Sequence, residues 1–149
     1  MPAAVAAENA RRKALATERR TGDLVLGVDT LVATEAAIWG KPADEQAARA
    51  TLLHLAGRTH EVHGGLVLLR DGEMAEAAAV TAVTFRPFGP ELADWYVRSG
   101  EWRGRAGGYA IQGRGAALVE RIDGDYLNVV GLPLAALLRV WPGLLALAS

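Results

Sequence analysis

The pattern of apolar and polar positions along the chain predicts helices near both ends, with strands and further helices between them. An Ala-rich segment from Ala3 to Arg20 carries its cations in the later turns, where positive charge suits the C-terminal end of a helix. After Thr21-Gly22-Asp23, the short apolar run from Leu24 to Val28 is typical of a buried strand, and residues 31–33 continue it in extended form.

The middle of the chain predicts a helix followed by a β-hairpin. Asp44 stands where a helix N-cap is expected, an apolar face follows with helical spacing, and Gly57 closes the segment. Two strand-like segments, Thr59 to Leu69 and Met74 to Phe88, then flank Asp71-Gly72, a dipeptide that favours a tight two-residue turn. This part of the sequence therefore contributes at least two antiparallel strands.

The last third begins with a predicted helix from Glu91 to Arg98. The glycine-dense segment from Gly100 to Gly115 predicts a long loop or a broken strand, and Ala116 to Ile122 predicts a strand. Val129-Val130 is interpreted as a short strand, and the apolar segment from Leu132 to Leu147 as a terminal helix. The order of elements predicts one α/β domain over residues 1–149, with a mixed, twisted sheet flanked by helices.

Composition narrows the functional class. The chain has 149 residues, 51% of them hydrophobic, and its 16 basic and 17 acidic residues give a net charge of −1. Since no overall field attracts nucleic acid or an anionic membrane, we expect neither as a partner, and anion binding must come from a few placed cations or a metal.

The chain has no cysteine, which excludes disulfides and thiolate chemistry. The apolar runs near Met1 are too short for a signal peptide, so we expect a cytoplasmic location.

Two short stretches carry candidate chemistry on a phosphorylated ligand. Asp29 ends an apolar strand, where a carboxylate can hold a metal or a proton, and the turn Gly40-Lys41-Pro42 presents a lysine that can reach a phosphate. Each has a simpler interpretation, because Asp29 can be a turn or N-cap residue and Lys41 can be a solvated surface lysine.

The segment GEWRGRAGGYAIQG, residues 100–113, is the second candidate. Its glycines permit close backbone approach to a ligand, the Gln112 amide can pair with a base edge, and Arg103 and Arg105 can contact phosphate or carboxylate. A flexible surface loop with solvated arginines is the alternative. The glycine spacing matches neither a Walker loop nor a dinucleotide-binding fingerprint.

Taken together, several stretches resemble the Maf family of nucleoside triphosphate pyrophosphatases, in family order and with family-like spacing. They are ARRKALA (residues 10–16), LGVDTLV (26–32), GKP (40–42), LAGRTHEV (55–62), RAGGYAIQG (105–113) and NVVGLPL (128–134). The resemblance implies the fold shared with inosine-triphosphate pyrophosphatases. It also implies cleavage of a nucleotide between its α and β phosphates, dependent on a divalent metal cation, Mg²⁺ or Mn²⁺.

The resemblance also implies roles for individual residues. Asp29 matches the general base and metal-linked carboxylate, Lys13 and Lys41 match phosphate-binding lysines, and Thr30 and Gln112 match positions associated with base choice. The Asp-Thr and Ile-Gln-Gly forms are similar to the branch that acts on dTTP and UTP.

A Ser-Pro-Arg-Arg segment, expected near the start of family members as a phosphate clamp, has no counterpart in these residues. Three interpretations therefore stay open. The first is an active pyrophosphatase, and the second is a catalytically impaired remnant that binds nucleotide or serves as a dimerisation partner. The third is a truncated gene model, whose protein begins further upstream with the missing segment. The apolar terminal segment and an uncovered sheet edge favour a homodimer.

Overall fold

The computed structural model describes residues 1–148, along which five α-helices and five strands are interspersed. The helices are α1 (Pro2–Ala16), α2 (Glu45–Leu55), α3 (Pro90–Arg98), α4 (Tyr126–Val130) and α5 (Leu134–Val140). The strands are β1 (Leu24–Ala33), β2 (Ile38–Trp39), β3 (Thr59–Arg70), β4 (Glu73–Phe85) and β5 (Val119–Asp123). Short 3-10 turns lie at Ala106–Gly108, Arg114–Leu118 and Leu144–Ala148.

The described strands form a five-stranded sheet in the order β2-β1-β3-β4-β5, flanked by helices. The predicted α/β class is therefore confirmed, but the sheet is not mixed as predicted, because all four pairings among these strands are antiparallel. Short turns join β1 to β2 and β3 to β4, and a short turn can connect only antiparallel neighbours. The predicted hairpin joins β3 to β4, and its two turn residues have positive φ angles, 48° at Asp71 and 84° at Gly72. Positive φ at both central positions is the turn geometry that matches the twist of paired strands.

Helix α1 lies directly on one face of β1 and β3. Its buried residues Ala6, Ala10 and Ala14 meet two glycines of the sheet, Gly27 and Gly65. A Cβ atom at Gly27 would overlap the carbonyl oxygen of Ala10, and one at Gly65 would lie 2.8 Å from the carbonyl carbon of Ala6. Small residues on both elements therefore allow the close approach that positions the last turns of α1 beside the middle of β1.

The main core lies between the sheet, α2 and α3. Its largest members are fully buried and include Leu52, Leu55, Phe85 and Tyr96. The predicted N-cap of α2 is confirmed, because the carboxylate of Asp44 accepts a hydrogen bond from the backbone nitrogen of Ala47 at 2.7 Å.

The structure corrects several sequence-based boundaries. The strand predicted to begin at Ala116 begins at Val119, because Arg114–Leu118 form a 3-10 turn. Helix α1 ends at Ala16 rather than Arg20. Val129-Val130 is helical rather than extended, because Asp125 caps the backbone nitrogen of Leu127 and starts α4. The terminal helix covers only Leu134–Val140 of the predicted segment. It stops before Trp141-Pro142, since a residue that precedes proline is disfavoured in the helical conformation.

Within residues 1–148, no helix has both the length and the apolar character needed to cross a membrane.

Candidate active site

The five residues to which the family resemblance assigns roles lie on one open cleft, which has a volume of about 230 Å³. They are Lys13, Asp29, Thr30, Lys41 and Gln112. The cleft opens where α1, β1 and the turn after β2 meet the segment from Gly100 to Gly115, called here the glycine-rich loop. Tertiary structure thus gathers residues from distant parts of the chain at one place.

The carboxylate of Asp29 lies at the centre of a small hydrogen-bonded group. Its Oδ1 atom is 2.7 Å from the ammonium of Lys13, and its Oδ2 atom accepts a hydrogen bond from the side-chain amide of Asn9 at 2.9 Å. Asp29 lies within β1, where it pairs with Gly65, instead of ending the strand as the sequence suggests. The side chain of Asp29 is only 13% exposed, so the bonds from Lys13 and Asn9 fix the position of a partly buried carboxylate.

Lys13 comes from α1 and bridges to the strand. Its ammonium also donates to the carbonyl oxygen of Val28 at 3.1 Å, while its side chain stays 54% exposed. Lys41 comes from the turn after β2, whose position is tied to the glycine-rich loop by a bond from the backbone nitrogen of Gly107 to the carbonyl of Gly40 at 3.1 Å. Two ammonium groups therefore reach one cleft from separate elements.

Thr30 and Gln112 are the two cleft residues that the resemblance connects with base choice. Thr30 follows Asp29 on β1 and pairs with Gly64 of β3. Gln112 is exposed on the glycine-rich loop, between the two 3-10 turns.

The glycine-rich loop is ordered by the carboxylate of Glu101. This carboxylate accepts hydrogen bonds from the hydroxyl of Tyr96 at 2.9 Å and from the backbone nitrogens of Arg114 and Gly115 at 3.1 and 3.0 Å. The hydroxyl of Tyr96 in turn accepts a bond from the backbone nitrogen of Ala110 at 2.9 Å. The loop segment that carries Gln112 is therefore bound at both of its ends.

Partial burial raises the pKa of Glu101, but the bonds from Arg114, Gly115 and Tyr96 outweigh it, and the pKa lies below its usual value. The charge of Arg105 acts in the same direction. Burial raises the pKa of Tyr96, so its hydroxyl stays neutral. A neutral phenol can donate to Glu101 and accept from the backbone at once, which suits its bridging position.

Tyr109 forms part of the cleft wall and connects it to the core. Its hydroxyl lies 2.7 Å from Nε2 of His60, and both rings pack edge-on against Phe85. Burial lowers the pKa of His60 to about 4 and raises that of Tyr109, so both groups are neutral near pH 7.

The structure adds Asn9 and Tyr109 to the residues that the sequence singles out. Asn9 binds the carboxylate of Asp29, and Tyr109 lines the cleft. Of the two arginines that the sequence offers as candidates, the cleft is lined by Arg105. The spacing of Asn9 and Lys13, four positions apart on one helix, is a signal that could have placed Asn9 beside Asp29. The local sequence does not show which of Arg103 and Arg105 reaches the cleft. The path of the loop in the folded protein decides it.

The donor set suits one kind of metal site. Among the described residues no three or more histidine or acidic side chains are grouped so that they could hold a metal ion. Asp29 is the carboxylate that the described cleft residues offer. Mg²⁺ is commonly bound by one or two carboxylates together with substrate phosphates and water, so the cleft fits a cation shared with a phosphorylated ligand.

The charges of the cleft favour an anion. Among the described residues that line the cleft, the three cations Lys13, Lys41 and Arg105 accompany one carboxylate, Asp29, in a protein whose net charge is −1. The positive potential is thus local to the cleft and not a property of the whole surface. A ligand with several negative charges is the one that this arrangement would attract.

Comparisons with known proteins agree with the sequence resemblance. The family model described as "Maf-like protein" matches residues 1–142. A dTTP/UTP pyrophosphatase of Pyrococcus furiosus is 45% identical over 118 residues, which cover 79% of this chain and 62% of that protein. Those of Thermococcus onnurineus and Symbiobacterium thermophilum are 46% and 47% identical over 89% of this chain, and the matches cover 72% and 69% of their lengths. The chain thus spans 62% to 72% of the length of these relatives.

Proposed function

The chain belongs to the Maf-like protein family, and on this basis we propose that it hydrolyses nucleoside triphosphates, in particular dTTP and UTP, to the monophosphate and pyrophosphate. The supporting observation is that Lys13, Asp29, Thr30, Lys41 and Gln112 line one cleft. These are the positions that the family resemblance connects with catalysis, phosphate binding and base choice. The similarity to curated dTTP/UTP pyrophosphatases points to the same substrates.

In the proposed mechanism, each residue acts from the position that it holds in the structure. Lys13 and Lys41 offset the charge of the polyphosphate, and the Asp29 carboxylate accepts a proton from the water that attacks the α phosphorus. The bond between the α phosphorus and the bridging oxygen then breaks, and pyrophosphate leaves. Gln112 pairs its amide with the edge of the base, next to Thr30.

We propose that Asp29 also holds a divalent metal cation, Mg²⁺ or Mn²⁺, together with phosphate oxygens. Such a cation supplies positive charge to the polyphosphate and lowers the pKa of a bound water. The contacts of Asn9 and Lys13 with the Asp29 carboxylate hold it in this orientation at the cleft.

Release of pyrophosphate from dTTP and UTP in the presence of MgCl₂ tests the proposal. We expect turnover by the wild-type protein and its loss in Asp29→Asn, with GTP and ATP as poorer substrates. Turnover that is equal in the wild type and Asp29→Asn would contradict the proposal.

The alternative, a remnant that binds nucleotide without cleaving it, predicts thermal stabilisation by dTTP with no pyrophosphate release. A cytoplasmic location and a homodimer are further parts of the proposal. The homodimer is proposed because apolar side chains such as Leu127 and Leu132 are 44% and 36% exposed. Light scattering coupled to size-exclusion chromatography checks the assembly.

A further inference from the structure

Two arginines of the glycine-rich loop, only two positions apart, reach different places. Arg105 lines the cleft together with Lys13, Asp29 and Lys41. The guanidinium of Arg103 instead lies over the ring of Trp102, with 5.0 Å between its carbon and the ring centroid. Trp102 is buried and donates from its indole nitrogen to the core backbone, so Arg103 is drawn away from the cleft.

The loop around Arg105 is fixed by backbone contacts. The backbone nitrogen of Arg105 donates to the carbonyl of Trp102 at 3.3 Å, and its own carbonyl accepts from Gly108 at 3.0 Å. The loop then docks beside Lys41, because Gly107 bonds to the carbonyl of Gly40. Gly107 adopts a φ of 69°, and a Cβ there would lie 2.8 Å from a methyl carbon of Val32, so a larger residue would push the loop away.

The guanidinium of Arg105 is available to a ligand. Within the described part of the chain it makes no hydrogen bond or ion pair. Glu101 is the acidic group whose pKa responds to its charge, but the Glu101 oxygens already accept bonds from Tyr96, Arg114 and Gly115. Arg105 is thus an exposed cation on an ordered loop, at the rim of a cleft that already holds two lysines.

We propose that Arg105 is a substrate-contacting residue that binds the polyphosphate of the nucleotide with its guanidinium fork. A planar guanidinium binds two phosphate oxygens at once, whereas an ammonium such as that of Lys41 acts as a point charge. This inference rests on the proposed function, since it assigns a third cation to the same ligand. Arg105 acts from the loop side of the cleft, and Lys13 acts from the helix side.

The chain offers a matched control in Arg103, which has the same side chain on the same loop and contacts Trp102 instead. We would compare Arg105→Ala, Arg105→Lys and Arg103→Ala by pyrophosphate release from dTTP and by calorimetric binding of inorganic pyrophosphate. Arg105→Ala should lower kcat/KM and weaken pyrophosphate binding by about 10- to 100-fold, the effect of losing a hydrogen bond to a charged group. Arg105→Lys should restore part of both, and Arg103→Ala should leave both unchanged.

The two measurements separate this inference from the proposed function. If the wild type binds pyrophosphate without cleaving dTTP, a selective loss of binding in Arg105→Ala still supports the contact. Equal behaviour of Arg105→Ala and Arg103→Ala would overturn it, even if the wild type turns over dTTP. Failure of the wild type to bind pyrophosphate or dTTP would overturn it as well. Thermal melting of each variant tests whether a loss of activity or of pyrophosphate binding comes from unfolding.

Discussion

The ammonium of Lys13 lies 2.7 Å from Oδ1 of Asp29, and this contact joins helix α1 to strand β1 at the edge of the cleft. The pair is asymmetric, because the lysine is 54% exposed and the aspartate only 13%. Solvent therefore screens the attraction, and its contribution to stability is small. Its importance in this proposal is positional, since it sets a cation beside the carboxylate that we assign to catalysis.

The first prediction concerns that carboxylate. Asp29→Asn should lower kcat for dTTP by about 10²- to 10⁴-fold, because the amide cannot accept the proton of an attacking water. The thermal midpoint should change little, because the ion pair with the half-exposed Lys13 contributes little and the Asn9 amide can turn to accept from the new amide. Asp123→Asn, a change to an exposed residue of β5, is the control and should keep full activity. Comparable activity in the two variants would contradict the assignment of Asp29.

The second prediction concerns Asn9, whose amide donates to the other oxygen of Asp29 at 2.9 Å. Asn9→Ala removes this donor and leaves the orientation of the carboxylate to Lys13. We expect kcat to fall by about fivefold, the effect of one hydrogen bond of ordinary strength, while KM stays the same. Steady-state kinetics beside Gln46→Ala, an exposed change on α2, measures the effect. A change in KM alone would mean that Asn9 contacts substrate instead of orienting Asp29.

The third prediction concerns Glu101, which orders the loop that carries Gln112. Glu101→Gln replaces one acceptor oxygen with an amide donor, which then faces the backbone nitrogen of either Arg114 or Gly115, itself a donor. We expect about 1–3 kcal/mol of destabilisation and a smaller preference for UTP over GTP, because Gln112 is held less firmly. Urea unfolding and the ratio of kcat/KM values measure the two effects, with Glu120→Gln as the control. An unchanged preference for UTP would show that the Glu101 contacts stabilise the fold only.

The fourth prediction concerns pH and His60. Its pKa is about 4 in the folded protein and near 6.5 in an unfolded chain, so the unfolded state binds more protons between these values. The contribution of neutral His60 is complete above pH 6.5 and is lost as the pH falls toward 4. We expect about 2 kcal/mol of lost stability between pH 7.5 and pH 5.

His60→Gln provides the comparison, because it removes the titrating group and keeps a polar partner for Tyr109. Urea unfolding at the two pH values should show a smaller loss of stability in the variant. An equal loss in both proteins would contradict the assignment of this pH dependence to His60.

The fifth prediction concerns the contact between α1 and the sheet. Gly27→Ala places a methyl group against the carbonyl of Ala10, and we expect about 1–3 kcal/mol of destabilisation from overpacking. Gly40→Ala is the control for stability, because a Cβ at Gly40 meets no atom within 4 Å. Since α1 carries Lys13, the Gly27 variant should also lose activity in proportion to the displacement of the helix. Equal thermal midpoints for the two variants would contradict this view of the packing.

Much of the fold could be predicted from local patterns. The hairpin follows from Asp71-Gly72, because this dipeptide readily adopts the positive φ angles that the turn needs. The start of α2 follows from Asp44, whose side chain caps the helix without help from the rest of the protein. The strand prediction for Val129-Val130 is wrong because branched apolar residues favour strands in general, whereas here the Asp125 cap and the buried Asn128 determine the local structure.

By itself, the sequence determined the α/β class, the turn and cap positions, and the family resemblance that names Lys13, Asp29, Thr30, Lys41 and Gln112. Only the tertiary structure decided which side chains share a cleft. It brought in Asn9, separated Arg105 from Arg103, and showed that Glu101 orders the loop. The physical reason is the sequence distance over which the contacts act. Caps and turns depend on neighbours a few positions away, whereas a cleft depends on how closely α1 and the glycine-rich loop can approach the sheet.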